Sequence, residues 1–307
     1  MAFQVSPLSD ELSFGAIVTG VTMDDVNDPK AAQALKDIWI DRGVVVFREV
    51  DTSTEFQIAL SKCFGKLERH PTHEIWVEGF PDLIGVVSKP DSGLIMRVEG
   101  KDYANWIPWH ADTIYTTALN RGGVLRVTQK TSWGGETCFL DQIGAYDSLP
   151  EHLKQAVENI RIVYQFDSPT HSIYARRLGA EIVRSSKTFE AMMSRVETDF
   201  PPVVHPAVFV QPETGRKALA LSPHFAQYIH GMDRDEGDRL LAELVDHLVS
   251  QKPYRHSWQD GELLLWDNWR VVHAVTGCPL DETRAMRRTT IMGDYVSGRK
   301  LSELEAA

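Results

Sequence analysis

The sequence predicts a mainly β fold with flanking helices, arranged as a sandwich or barrel-like double sheet in a single elaborated domain. Three observations point there. Short β-branched runs recur between turn residues, helical stripes are confined to a few segments, and no linker-like or low-complexity stretch divides the chain. A length of 307 residues admits two domains on size alone, but decorated β domains also reach it. With 43% hydrophobic and 24% charged residues the chain can bury a core large enough to enclose a site.

Asp28-Pro29 opens a helix, with the aspartate as N-cap and proline in the first turn, running through Ala32, Leu35, Ile38 and Trp39 to Gly43. Val44-Val45-Val46-Phe47 then reads as a buried strand. A second helix is expected over Thr54 to Phe64, ended by Gly65. Strand-like runs follow at 83–87, 124–128, 161–164, 207–210, 262–266 and 288–294. Residues 144–204 read as a helical insertion, with helices near 151–159 and 186–196. A last helix, started by Asp233, carries Leu240, Leu241, Leu244, Val245 and Leu248 on one stripe and should pack on the sheet.

Against 32 basic residues stand 43 acidic ones, a net charge of −11, which argues against nucleic acid or an anionic membrane as partner. An anionic small molecule would need locally placed arginines. Cys63, Cys138 and Cys278 are odd in number, widely spaced and free of any CxxC, so neither a disulfide framework nor a zinc cluster is indicated. Met1 to Pro7 carries no basic n-region or apolar h-region, and no window resembles a membrane span. The expectation is a soluble cytoplasmic protein, homo-oligomeric by default.

The chemistry concentrates at Trp109-His110-Ala111-Asp112 and at Trp266-Asp267-Asn268-Trp269-Arg270-Val271-Val272-His273. If the first segment is extended, His110 and Asp112 project to one face and offer an imidazole nitrogen and a carboxylate oxygen to a single ion. A distant histidine completes the two-histidine, one-carboxylate set used by non-haem Fe(II) oxygenases, which leaves the opposite metal positions open. Taken alone, a His-x-Asp triplet is more often surface or core. Further on, Gly277, Pro279 and Asp281 mark a turn, after which Arg284, Met286 and Arg288 share one face of a returning strand. The two arginines, about 13 Å apart at Cα, then serve two anions or converge on one through their side chains. An exposed, ion-paired edge strand is the plainer possibility. Gly134-Gly135-Glu136-Thr137 adds a turn and a hydroxyl able to meet a carboxylate.

Together, Trp-His-x-Asp, Gly-Gly-x-Thr, Trp-Asp-Asn-x-x-x-x-His and Arg-x-x-x-Arg-x-Thr resemble the family of taurine dioxygenase and 2,4-dichlorophenoxyacetate dioxygenase, from the 43–47 strand to about Asp294. The resemblance implies a double-stranded β-helix, or jelly roll, and an oxidoreductase: an Fe(II)- and 2-oxoglutarate-dependent dioxygenase. Such an enzyme uses O2, releases succinate and CO2, and oxidises, most simply hydroxylates, a small organic acid bearing a carboxylate or sulfonate. It further implies that His110, Asp112 and His273 are the metal ligands and that Thr137 and Arg284 hold the distal carboxylate of 2-oxoglutarate. Arg288 matches a position that meets the acid group of the primary substrate, although it can equally support the co-substrate. His70, before Pro71, matches a substrate-contacting histidine, against the plain reading of a loop residue with no role. Trp106 stands where the taurine enzyme has a small polar residue, which turns the expectation away from taurine. With Tyr103, Trp109 and Tyr115 it either lines a pocket for an aromatic or bulky apolar body or belongs to the core. Asp267 and Asn268 shape the turn before His273, or contact a metal ligand.

Two other functions fit parts of the pattern: a non-catalytic β-helix ligand-binding or regulatory protein, and a zinc-dependent hydrolase using the same ligands. The second leaves Thr137 and Arg284 without a task.

Overall fold

Residues Val44 to Phe47 form a run without polar alternation because both faces of their strand are covered. Val44 and Val46 look into the space between two sheets, where they meet Phe139, Leu264, Trp266, Val271 and Met286. Val45 and Phe47 point the other way, into a cluster with Leu35, Trp39, Phe56 and Leu60 from two outer helices. The computed structural model describes residues 3–69, 75–90 and 93–306.

Among these, nine strands make the larger sheet, in the order Gln4–Pro7, Ala16–Thr19, Val44–Arg48, Leu263–Asp267, Gly122–Gln129, Arg284–Ile291, Phe80–Ser88 and Trp76–Val77, with Leu67–Glu68 also on the Arg284–Ile291 strand. The facing sheet has six: Glu181–Arg184, Ile95–Val98, Lys101–His110, Val271–Cys278, Thr137–Asp141 and Tyr254–His256. Pairing is antiparallel throughout except between Ala16–Thr19 and Val44–Arg48. Two facing antiparallel sheets with helices outside are the expected jelly roll.

After a short helix at Met23–Asn27, the expected helix spans Pro29–Arg42, and Asp28 caps it by accepting a hydrogen bond from the Lys30 amide. It stops at Gly43, whose φ of 77° suits glycine and where a Cβ would lie 2.7 Å from the Arg270 side chain. The next helix, Thr54–Lys62, ends before Phe64, because the amides of Cys63 and Phe64 turn back to Leu60 and Ser61. The helix Arg234–Val249 buries Leu241, Leu244, Val245 and Leu248 in a cluster shared with Cys138, Leu140 and Val272 of the smaller sheet, with Leu240 partly buried at its margin.

The 144–204 segment is not purely helical. Besides the helices Gln142–Asp147, Glu151–Val157, Ile173–Arg177, Lys187–Met193 and Val196–Asp199 it carries the expected strand Arg161–Tyr164 and two more, Glu181–Arg184 and Val203–Pro206. Glu181–Arg184 extends the smaller sheet, while the other two build a separate four-stranded sheet with Ala226–Ile229 and Arg299–Lys300. The returning strand, expected from about Arg284 to Gly293, is Arg284–Ile291 and lies between two partners, so it is no exposed edge.

Three buried histidines other than His110 and His273 predict acid sensitivity. Burial lowers His205, His224 and His256 from 6.5 to about 4, 3 and 4. As the pH falls through 6.5 the unfolded chain takes up protons that the folded chain refuses until about pH 4, so stability falls across that window by up to about 1.4 kcal/mol per pH unit for each histidine. Thermal melts between pH 7 and pH 5 should show a falling Tm, with a shallower slope for His205→Gln. A flat profile would contradict this assignment.

Candidate metal centre and co-substrate pocket

Two neighbouring strands of the smaller sheet set His110 directly opposite His273. Asp112 lies two residues beyond the end of the Lys101–His110 strand, in a turn rather than on the strand itself. Its side chain still returns to the histidines. Oδ1 is 3.6 Å from His110 Nε2 and 3.8 Å from His273 Nε2, and one donor atom from each residue falls within 4.8 Å of the others.

The turn that aims Asp112 is held by Asn268. Its Oδ1 accepts from the Asp112 amide at 2.8 Å, and its Nδ2 donates to the Asp112 carbonyl at 2.9 Å. Thr113, with φ of 56°, turns the chain away immediately afterwards. Asp267 has a different task, accepting from the Trp269 amide and pairing with Arg121 at 3.1 Å. Asn268 is therefore the residue of this pair that touches Asp112, and Asp267 shapes the turn.

The donor set suits a divalent metal. His110 Nδ1 is 2.8 Å from the Pro108 carbonyl, which assigns the proton to Nδ1 and leaves the Nε2 lone pair facing Asp112. His273 packs under Phe139 and beside Trp266, and burial followed by repulsion from His110 lowers its pKa to about 3, which keeps the ring neutral. Burial alone would raise the Asp112 carboxyl, but Arg288, His273 and His110 outweigh it and hold the group well below the ordinary carboxylate range. Two imidazole nitrogens and one carboxylate oxygen thus converge from one side.

Across the gap, the Arg284–Ile291 strand presents Arg284 and Arg288, with the buried Met286 between them. Arg288 Nη2 donates to Asp112 Oδ2 at 2.6 Å, and its guanidinium lies 4.9 Å from the Trp266 ring centre. Its Nε is buried without a partner. Arg284 is 5% exposed and donates through Nε and Nη2 to the Gly135 carbonyl at 3.2 and 3.0 Å. Among the described residues it has no carboxylate partner in an ion pair, and burial lowers its pKa to about 10. Gly135, at φ of 66°, admits this approach, since a Cβ there would lie 2.9 Å from Arg284 Nε. Thr137 is buried and accepts from Trp258 Nε1 at 3.1 Å. Trp258 and Arg284 border one cavity of about 270 Å³.

The residues expected to contact the primary substrate are distributed differently. His70 lies outside the described residues. Trp106 packs with Met96, Val98, Ala175 and Ala180, and Tyr103 packs against that cluster and edge-on to Trp133. The rings beside His110 are instead His224 and Phe225, each 6.1 Å away, with Tyr115 4.8 Å from Phe225 and 5.2 Å from both Phe166 and Phe200. Only Tyr115 stood out in the sequence. The others come from the 144–204 segment and the turn before the strand Ala226–Ile229, and no local motif announces them.

The sequence profile described as "Taurine catabolism dioxygenase TauD, TfdA family" matches residues 4–290. The chain is 31% identical over 310 residues to the (S)-phenoxypropionate/alpha-ketoglutarate-dioxygenase of Sphingobium herbicidovorans, covering 98% of this chain and 99% of that one. To the alpha-ketoglutarate-dependent 2,4-dichlorophenoxyacetate dioxygenase of Cupriavidus pinatubonensis it is 28% identical, covering 92% and 96%. The crystal structure of AAD-2 in complex with Mn(II) and N-oxalylglycine superposes with a TM-score of 0.72 at 25% identity, over 97% of this chain and all of that one. A taurine dioxygenase from Burkholderia xenovorans gives 0.70 at 26% identity, over 96% and 90%. The chain therefore belongs to the TauD, TfdA family and is an Fe(II)- and 2-oxoglutarate-dependent dioxygenase that oxidises a small organic acid.

Proposed function

We propose that His110, Asp112 and His273 hold the Fe(II), that Thr137 and Arg284 take the far carboxylate of 2-oxoglutarate, and that Arg288 receives the acid group of a primary substrate with an aromatic or bulky apolar body. The observation that carries this reading is the pair of arginines on one strand. Arg284 is a buried cation with no carboxylate partner among the described residues, and Arg288 has a buried, unpartnered Nε beside the triad. A buried guanidinium is costly unless an anion meets it, so Arg284 is completed by a ligand carboxylate, while Arg288, already paired with Asp112 through Nη2, keeps its Nε to offer a second one.

When bound, the iron with O2 and 2-oxoglutarate supplies the oxidising chemistry, with release of succinate and CO2. The residues position and shield. Asn268 keeps Asp112 turned toward the histidines. Arg284 orients 2-oxoglutarate by a charge-assisted contact, and Arg288 draws the substrate acid toward the side of the triad occupied by Asp112 Oδ2. The wall of Tyr115, Phe166, Phe200 and Phe225 suits the apolar body and supports an aryl or similarly bulky acid over taurine. Hydroxylation is the simplest outcome of hydrogen removal in such a pocket.

Arg288→Ala is expected to raise the KM for the primary acid roughly tenfold to hundredfold while substrate-free succinate formation continues. Equal loss of both activities would make Arg288 part of the co-substrate site. The function itself is tested by anaerobic titration of the metal-free chain with Fe(II) and then 2-oxoglutarate, followed by candidate acids. A weak visible absorption band that appears with 2-oxoglutarate and shifts with an aryl acid is expected; bound iron without any band would reject the reading.

The acidic balance and three free cysteines support a cytoplasmic setting and a small-molecule partner rather than nucleic acid. No helix among the described residues is long and apolar enough to cross a membrane. A homo-oligomer is the proposed assembly, to be checked by sedimentation.

A further inference from the structure

Behind the loop that carries the ligands lies a second cavity, of about 140 Å³. Side chains alternate along this segment. While His110 and Asp112 face the metal centre, Ala111 between them is buried in an apolar cluster with Ile114, Leu119, Leu221 and Trp269, and all five line the cavity. None of the three ligands, nor Arg284 or Arg288, borders it.

The polar groups around this space already have partners. Asn268 is spent on the Asp112 backbone and the Asn120 carbonyl. Gln142 Nε2 donates to the carbonyls of Leu219 and Leu221, and His205 bonds Ser297 Oγ through Nδ1 at 2.9 Å and the Thr116 carbonyl through Nε2 at 2.8 Å. No Asp, Glu, Lys or Arg lines the cavity, so it offers an anion nothing. Apolar cavities of about 150 Å³ hold benzene or xenon without water. An entry exists, because the lining residues Val210 and Tyr295 are 49% and 43% exposed.

We propose that this cavity is a second binding site, for a neutral apolar molecule the size of one aromatic ring, and that its occupancy is felt at the metal centre through Ala111 and Asn268. An occupant touches Ala111, the residue between two of the ligands, and the Asn268 side-chain amide that grips both backbone polar groups of one of them, Asp112. Any shift of Asn268 re-aims Asp112, and the coupling must be reciprocal: metal binding changes affinity for the apolar molecule by the same factor. The binding part stands without the metal assignment; only the coupling part rests on the triad holding the ion.

The experiment is 19F NMR titration of the full-length, metal-free chain with fluorobenzene, followed by Mn(II) binding with and without benzene. Saturation at roughly millimolar concentration is expected, with nuclear Overhauser contacts from benzene to the Ala111 and Leu119 methyls. Ala220→Leu and Val208→Phe, which fill the cavity, should each weaken binding by about tenfold or more. Benzene should change Mn(II) affinity by about fivefold or more. Absence of saturable binding, or contacts to methyl groups elsewhere, would overturn the site. Binding at the cavity with unchanged Mn(II) affinity would overturn the coupling, and Mn(II) failing to bind at all would instead count against the triad.

Discussion

Asp112→Ala is expected to abolish tight metal binding and turnover together. The carboxylate does two things at once: Oδ1 faces the two histidine Nε2 atoms and Oδ2 holds Arg288 at 2.6 Å. Without it a divalent ion would face the Arg288 cation with no anion between them. Unit charges 4 Å apart at an effective dielectric of about 20 interact by about 4 kcal/mol, so affinity should fall on the order of a thousandfold. The two histidines remain, and burial keeps the His273 ring neutral, so residual weak binding is expected. Calorimetric titration with Mn(II), alongside succinate release, provides the check, and a variant that keeps wild-type metal affinity would remove Asp112 from the ligand set.

Arg284→Ala is expected to leave metal binding intact and raise the 2-oxoglutarate requirement. A hydrogen bond to a charged group contributes about 1.5–3 kcal/mol, which corresponds to roughly a tenfold to hundredfold higher half-saturating concentration. The apo protein should tolerate the change. Unlike Arg270, which pairs with Asp141 in the core, Arg284 leaves no carboxylate stranded when it is removed. Steady-state succinate assays and thermal melts together decide the matter. An unchanged 2-oxoglutarate requirement would refute the role, and a large drop in Tm would show that the residue serves mainly the fold.

The two arginines illustrate how differently a site can be read. Arg284 could be read in the sequence as an inward cation, because four-residue spacing on a strand puts it on the face of Met286 and Arg288. That it sits against a glycine carbonyl could not, because the contact depends on Gly135 adopting φ of 66° in a loop of the other sheet. Arg288 was legible as an acid-binding candidate, yet its bond to Asp112 arises only when two sheets face each other. The helix Pro29–Arg42 was readable to its ends because Asp28, Pro29 and Gly43 act within one turn. Within 144–204 the strand Arg161–Tyr164 was legible as a β-branched run, whereas Glu181–Arg184 was obscured, since it is largely exposed and shows no alternation to betray it.

By itself the sequence determined which donor atoms exist, their order along the chain, and the caps and turns that bound the local elements, because these depend on neighbours a few residues apart. Only the tertiary structure decided that Asp112 leaves its strand yet returns to the histidines, that Asn268 holds it there, and that Phe166, Phe200 and Phe225 stand beside Tyr115 while Trp106 packs elsewhere. Those outcomes follow from sheet pairing and from which apolar faces bury against one another, and such contacts join residues far apart in the chain, beyond the reach of local spacing.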